Sequence, residues 1–347
     1  MRQEITLRNR VIGPGHPLFI LAECGVTCNY DMQITKELID VVKQAGADAI
    51  KMIFWFPDEI MSDKTISYSY ETTDGPVSQN MYDMLSRLRF SFDQWQEIKR
   101  YADQKNVILF STVNSPTGIV WAERLGLEAY KLSSWDYNYV TLWRKIAGLD
   151  KPMIIDTGPV DTLGVAKVMQ LMQEEGNDQA VLLHCCHADT YEELNMATIP
   201  YLRKVFQTVV GYSAKDTDPA PDIMAVTLGS SMLEKRLTLS RKLPGHHHVL
   251  SLEPEEFIKH VRLLRQIQAG VGTESLIPSG TDLEEKKKWF RHLVARVPIK
   301  KGTVLTEDLL DGMRPETGIS PEFQTYFLGK PAQRDIRKDE ALVWDHV

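Results

Sequence analysis

The chain has 347 residues, is 43% hydrophobic and 25% charged, and carries a formal net charge of -7 from 40 basic and 47 acidic residues. That composition describes a soluble globular protein long enough for one large domain and a small second one, and the absence of a long basic block argues against nucleic-acid binding. No apolar run is long enough for a membrane span, the Met1-Arg2-Gln3-Glu4 start lacks a signal core, and Cys24, Cys28, Cys185 and Cys186 lack the spacing of a secreted disulfide framework, so a reduced, cytoplasmic protein is expected.

In chain order, residues 5–12 read as a small hairpin ended by Gly13-Pro14-Gly15. Residues 18–23 are a continuous apolar run ending in Glu23, predicted as a strand. Leu38, Val41, Val42 and Ala45 mark an amphipathic helix stopped by Gly46, and residues 49–53 give the next strand, with Lys51 inside it. Residues 54–89 form a long polar and aromatic insertion, a length that is usually functional, and a candidate lid. Its opening, Phe54-Trp55-Phe56-Pro57, reads as packing rather than a cofactor box. Strands at 107–111, 129–132, 152–155, 180–183, 208–212 and 231–233 then alternate with helices at 92–105, 116–125, 140–147, 163–175, 196–206, 222–228 and 254–269.

Eight such alternations of short, wholly apolar strands predict a parallel (β/α)8 TIM barrel. An open doubly wound sheet would need a glycine-rich phosphate loop after the first strand, and Glu23-Cys24-Gly25-Val26-Thr27 is not one. The barrel is assigned to residues 1–270. Periodicity then fails and charges cluster, so residues 271–292 read as a linker to a small β-rich domain at 293–347, near the lower size limit for folding alone.

In a barrel of this kind the chemistry sits at the C-terminal strand ends. Those ends carry Glu23, Lys51, Ser111, Thr112, Lys131, Ser133, Ser134, Asp156, Thr157, residues 184–187, Ser213 with Lys215, and residues 234–236. Two lysines, several hydroxyls and a histidine on one mouth predict an anion site for phosphate or carboxylate, while Glu23 could orient a substrate or move a proton. Any one of these residues alone reads more simply as a solvated strand end; the argument is collective. Cys185 and Cys186 read as small buried residues, and Cys24 and Cys28 could reach the mouth. His246-His247-His248 could supply metal ligands, but adjacent side chains diverge and a polar loop is the simpler reading.

Ala22-Glu23-Cys24-Gly25-Val26, Ala45-Gly46-Ala47-Asp48-Ala49-Ile50-Lys51, Lys131-Leu132-Ser133-Ser134, Asp156-Thr157-Gly158, Leu182-Leu183-His184-Cys185, Gly211-Tyr212-Ser213 and Glu234-Lys235 occur in an order and spacing that resembles the sialic acid synthases. The tail, with Ile299-Lys300-Lys301-Gly302, Met313-Arg314-Pro315-Glu316-Thr317-Gly318-Ile319 and Leu328-Gly329-Lys330, is similar to their antifreeze-like (SAF) domain. The resemblance implies a barrel followed by that domain, and a transferase that condenses phosphoenolpyruvate with a sugar or sugar-like aldehyde to a 2-keto-3-deoxy acid, releasing phosphate. Position by position it implies phosphoenolpyruvate binding by Lys51, Thr112, Lys131, Ser134 and Ser213, with Glu23 near the reacting centre. It also implies a domain-swapped homodimer in which Arg314 reaches the partner's mouth. Asp136 is included among the substrate-binding candidates.

The departures from the family carry equal weight. The family holds a divalent ion, typically manganese, through two histidines, in Gly-Tyr-Ser-Asp-His-Thr and in Glu-Lys-His. Lys215 and Arg236 stand at those positions here. Charged, neither can ligate manganese, and two fixed cations repel it, so no metal or other cofactor is expected. Lys215 and Arg236 are instead expected as catalytic cations that polarise a carbonyl oxygen in the ion's place. A shifted register, with Asp216-Thr217 on the family's Asp-His-Thr, would take that role from Lys215 and would still lack a histidine. On the acceptor side Thr27-Cys28-Asn29-Tyr30 replaces Asn-His-Asn-Gly, Ile53 a glutamine, His187 and Asp189 an asparagine and a tyrosine, and His247 an aspartate. A changed acceptor is expected, with His187, Asp189 and His247 among its contacts. The alternatives are a metal held by His187, Asp189 or residues 246–248, and a non-catalytic homologue that binds a sugar acid or phosphate and regulates or scaffolds a partner.

Overall fold

The computed structural model describes residues 1–188 and 190–347, which divide into two compact units, Met1–Gly272 and Thr273–Val347. The first is a closed barrel of eight parallel strands: β1 (Phe19–Glu23), β2 (Ala49–Ile53), β3 (Ile108–Thr112), β4 (Tyr130–Leu132), β5 (Met153–Asp156), β6 (Ala180–Cys185), β7 (Val209–Ser213) and β8 (Met232–Arg236). Each strand pairs with the next, and β8 closes on β1 with Arg236 opposite Glu23. The connecting helices are α1 (Met32–Ala45), α2 (Phe92–Gln104), α3 (Pro116–Arg124), α4 (Val140–Ala147), α5 (Thr162–Glu174), α6 (Thr198–Phe206), α7 (Ala220–Thr227) and α8 (Pro254–Val271). Local chemistry fixes their ends. The Asp31 carboxylate accepts from the Gln33 and Ile34 amides before α1, Ser91 and Gln94 cap α2 reciprocally, and Gly46 ends α1 in the left-handed region.

Strand side chains alternate between two faces, so each strand sorts its residues into an inside set and an outside set. Phe19, Leu21, Ala49, Ile108, Phe110, Ala129, Ile154, Val181, Leu183, Val209 and Met232 fill the barrel interior, and Ile5, Leu7 and Ile12 of the N-terminal hairpin join them. The alternate residues, including Ile20, Ile50, Leu109, Tyr130, Ile155, Leu182, Val210 and Leu233, pack outward against the helices. Gly211 is required on the inside of β7, because a Cβ there would lie 2.5 Å from both Leu183 Cδ2 and the Met232 carbonyl oxygen. The same alternation turns His184 and Lys235 away from the mouth, correcting their reading as strand-end site residues. His184 Nε2 lies 2.8 Å from the Leu194 carbonyl oxygen.

Lys235 is buried outside the barrel, where its ammonium donates to Asp222 Oδ2 of α7 at 2.6 Å and to the Asp218 carbonyl at 3.1 Å. His260 of α8 reaches the same Asp222 oxygen at 2.9 Å. Asp222→Ala leaves the Lys235 ammonium buried without a counter-charge, so a loss of about 3–5 kcal/mol in unfolding free energy is expected, read as a lower urea midpoint.

The insertion after β2 contains helix Pro57–Ile60, an antiparallel hairpin of Ser67–Thr72 with Gly75–Asn80, and helix Met81–Arg87. Its first residues are packing: Phe54 lies 4.6 Å from the Trp95 ring, and Phe56 lies 4.9 Å from Trp121. Residues 271–292, expected as a linker, include the last residue of α8 and a further helix in the second unit. Helix Gly280–Trp289 occupies part of the segment, capped by Ser279 and Asp282 and laced by Lys287–Glu284 and Lys288–Glu285 pairs. It buries no residue, so it has no apolar stripe that sequence periodicity could reveal. Strands His292–Ala295 and Leu310–Met313 pair antiparallel beyond it, over a core of Leu293, Ile299, Leu305, Phe327, Ile336 and Leu342. No described helix is long and apolar enough to cross a membrane.

Candidate active site

The inward positions at the C-terminal ends of the strands form a polar layer above the apolar filling. Glu23, Lys51, Thr112, Lys131, Asp156, Cys185, Ser213, Glu234 and Arg236 occupy it, one or two from each strand. Sequence reading expects two lysines open to an anion. The structure gives both lysines carboxylate partners. Lys131 is fully buried, with its ammonium donating to Glu234 Oε2 at 2.5 Å and lying 2.8 Å from Asp156 Oδ1. Lys51 donates to the other Glu234 oxygen at 3.0 Å and forms an ion pair with Glu23. Glu23 accepts from the Gly25 amide at 2.7 Å, and a Cβ on Gly25 would crowd that oxygen at 2.6 Å.

Glu234 and Asp156 thus organise the mouth, and neither carries an assigned role in the sequence reading. Burial would raise the Glu234 carboxyl, but Lys131 and Lys51 overcome it and hold the group down at about 2. Burial raises Asp156 above the usual carboxylate range, with Lys131 and Lys51 opposing and Glu234 reinforcing the rise. Burial and Lys131 lower Lys51 against the pull of Glu234, whereas Asp156 and Glu234 lift Lys131 in spite of its burial. Burial pushes the Cys185 thiol up to about 12, so it is a poor thiolate source.

Arg236 crowns the layer. Its guanidinium donates to the Lys215 carbonyl, while its buried Nε has no hydrogen-bond partner among the described residues. The Lys215 ammonium donates to the Ala188 carbonyl at 3.0 Å. Thr112 and Ser213 are buried in the layer, and Ser134 is buried on the 3-10 turn after β4. Asp136 lies on that same turn, where burial pushes its carboxyl up to about 6. His187 lies at the surface with its ring 5.1 Å from Trp135, and partial burial and Arg236 hold its pKa below the usual imidazole value. Asp189 lies outside the described residues. Arg314 belongs to the second unit, where its Nε donates to the Trp289 carbonyl at 2.8 Å and its guanidinium lies 5.3 Å from the Trp289 ring centroid.

The three consecutive histidines diverge. His248 meets Thr238 Oγ1 at 2.7 Å and Asn29 Oδ1 at 3.1 Å. His246 lies against Tyr68 and Tyr70 of the insertion hairpin, 5.5 and 5.6 Å from their ring centroids. The hairpin therefore reaches the loop that follows β8. His246 and His248 are both held at about 4, His246 by burial, His248 and Arg236, and His248 by burial. Burial and Arg236 push His247 well below the usual value. All three are held neutral, His246 and His247 in part by the nearby Arg236.

The family model described as the NeuB family matches residues 38–275, and the SAF domain model matches residues 290–347. The chain belongs to the NeuB family. It is 28% identical to the N,N'-diacetyllegionaminic acid synthase of Legionella pneumophila, over 96% of each chain. It is 29% identical to the human N-acetylneuraminate-9-phosphate synthase, over 97% of this chain and 95% of that one. The solved structure of the Bacillus subtilis spore coat polysaccharide biosynthesis protein SpsE superposes with a TM-score of 0.67 at 26% identity, covering 99% of both chains. The expected barrel followed by a SAF domain is the architecture found.

Set in a NeuB-family barrel, the expected manganese positions offer the wrong chemistry. A lysine ammonium and a guanidinium have no lone pair to donate, and their carbonyl contacts keep both near the mouth. Among the described residues no three His, Cys, Asp or Glu side chains converge as a metal site requires. Both ring nitrogens of His248 are engaged, by Thr238 and Asn29. The residues present do not fit the ion.

Proposed function

We propose that the chain is a phosphoenolpyruvate-dependent synthase that condenses phosphoenolpyruvate with a sugar or sugar-like aldehyde, with Arg236 and Lys215 acting where the family uses a metal ion. The observation that carries this reading is Arg236, a cation at the top of the lysine–carboxylate layer whose buried Nε has no hydrogen-bond partner among the described residues. In the reaction, C3 of phosphoenolpyruvate forms a bond to the aldehyde carbon, and the aldehyde oxygen becomes an alkoxide that takes a proton. Water adds at C2 and loses a proton, and the C–O bond to phosphate breaks, leaving a 2-keto-3-deoxy acid and inorganic phosphate. Lys51, Lys131, Thr112, Ser134 and Ser213 hold the phosphoenolpyruvate half. Arg236 and Lys215 stabilise the developing alkoxide, the step at which fixed charge is most effective. Glu23 orients the acceptor or carries the proton.

Three supports for this reading are the family membership, the relatives named as sugar-acid synthases, and the convergence of Glu23, Lys51, Thr112, Lys131, Ser213 and Arg236 on one layer. The same reading makes the protein a domain-swapped homodimer in which Arg314 serves a second copy. It also places the protein in a reducing cytoplasm, with which the four free cysteines agree. Colorimetric phosphate release from phosphoenolpyruvate, screened across a panel of N-acetylhexosamines, N-acetylated deoxyhexoses and simpler aldehydes, tests it. Acceptor-dependent release with at least one member is expected; phosphoenolpyruvate binding with no release across the panel would reject the enzyme.

A further inference from the structure

The polar layer holds as many carboxylates as cations. Glu23, Asp156 and Glu234 face Lys51, Lys131 and Arg236, so the described layer is close to neutral with all six ionised. An incoming phosphate ester adds about two further negative charges to a site with little net positive charge left. One carboxylate must give way or become neutral. The three are not held alike. Glu234 takes a lysine on each oxygen, at 3.0 and 2.5 Å. Glu23 takes the Gly25 amide on one oxygen and Lys51 on the other. Asp156 has a single ion contact among the described residues, from its Oδ1 to Lys131 at 2.8 Å, and no second partner on its other oxygen.

The groups facing Asp156 come from every side of the mouth. They are Lys131 and Tyr137 from β4 and the turn after it, Lys51 from β2, Cys185 and His187 from β6 and its loop, and Glu234 with Arg236 from β8. Of the three carboxylates of the layer, Asp156 has the fewest partners: one lysine, against two lysines on Glu234 and a lysine and an amide on Glu23. We propose that Asp156 takes up a proton when a phosphate-bearing anion enters the mouth, releasing Lys131 to the anion and making anion binding proton-linked. The neutral carboxylic acid then becomes a hydrogen-bond donor to an anion oxygen. The proton comes from solvent on binding and returns to it when phosphate departs, so the cycle balances. Only the identity of the anion rests on the phosphoenolpyruvate reading.

Calorimetric titration of the full chain at mildly alkaline pH, in buffers of differing ionisation enthalpy, counts the protons. Sulfate is one probe, because it has no proton to gain or lose there, and phosphoenolpyruvate is the other. The wild type is expected to take up about one proton with sulfate, and its affinity to weaken by up to tenfold per pH unit on the alkaline side. Asp156→Asn is expected to bind both anions without that added uptake and with a flatter pH profile; Asp156→Ser provides the same comparison should the asparagine variant not fold. Sulfate binding to the wild type with no proton uptake overturns the proposal, and so does equal uptake in wild type and variants. Proton-linked sulfate binding with no affinity for phosphoenolpyruvate upholds the proposal and removes the phosphoenolpyruvate reading. Failure of the wild type to bind either anion overturns both.

Discussion

Alanine at Glu234 is expected to lower the unfolding free energy by about 3–5 kcal/mol, the usual cost of removing one partner from a buried ionic cluster. Glu234 is almost wholly buried and, among the described residues, is the one carboxylate paired with both mouth lysines. Without it the Lys51 and Lys131 ammoniums face each other across the layer, held only by Glu23 and Asp156. The linkage has a definite sign. A carboxyl held down at about 2 is more acidic in the folded state than in the unfolded chain, so its contribution is present above the ordinary carboxylate pKa. It is lost as the pH falls from there toward about 2. Its size, from the displacement relative to an ordinary glutamate, is about 3 kcal/mol. Urea melts of wild type and Glu234→Ala at neutral pH should differ by that order, and Glu234→Gln should fare little better, because the amide keeps the shape and loses the charge. A variant within about 0.5 kcal/mol of wild type would mean that the cluster does not hold the barrel's upper layer together.

Arg236→Ala is expected to lower kcat by about 10²–10³-fold, the range seen when one fixed donor to a developing oxyanion is removed. Phosphoenolpyruvate affinity should change far less, since the anion-binding lysines and hydroxyls are separate side chains. A loss confined to kcat is the signature of an interaction made in the transition state, and a loss confined to KM would assign Arg236 to ground-state binding instead. Lys215→Ala is expected to act in the same direction. The Arg236 guanidinium holds the Lys215 carbonyl, so Arg236→Ala also frees the loop after β7. Arg236→Lys discriminates the two effects: an ammonium restores charge but not the planar fork. Recovery of part of the rate would mean that the positive charge itself acts.

How much of this was legible in the sequence depends on what was being read. The barrel was plain in the apolar runs, because buried parallel strands must be apolar on both faces and their charged ends stand out. The members of the mouth were legible for the same reason, and Lys51, Lys131, Thr112, Ser213 and Arg236 all lie in one layer. The pairing within that layer was not. Lys51 and Glu234 lie 183 residues apart, and Lys131 and Glu234 lie 103 apart. Their meeting depends on closure of the barrel, which local spacing does not encode. The outward turn of Lys235 was available from strict alternation, since it lies between inward Glu234 and Arg236. The insertion hairpin was signalled by the strand-like alternation Ser67-Tyr68-Ser69-Tyr70, and the structure turns it at Thr73-Asp74. Its contact with His246 joins two loops distant in sequence and could come only from the fold.

The replacement of the ion by two cations is tested most directly by phosphate release from phosphoenolpyruvate and an active acceptor in excess EDTA, using protein prepared without a polyhistidine tag. The rate is expected to be unchanged by the chelator and by added manganese, and to fall in both Arg236→Ala and Lys215→Ala. Complete inhibition by EDTA that manganese restores would contradict it.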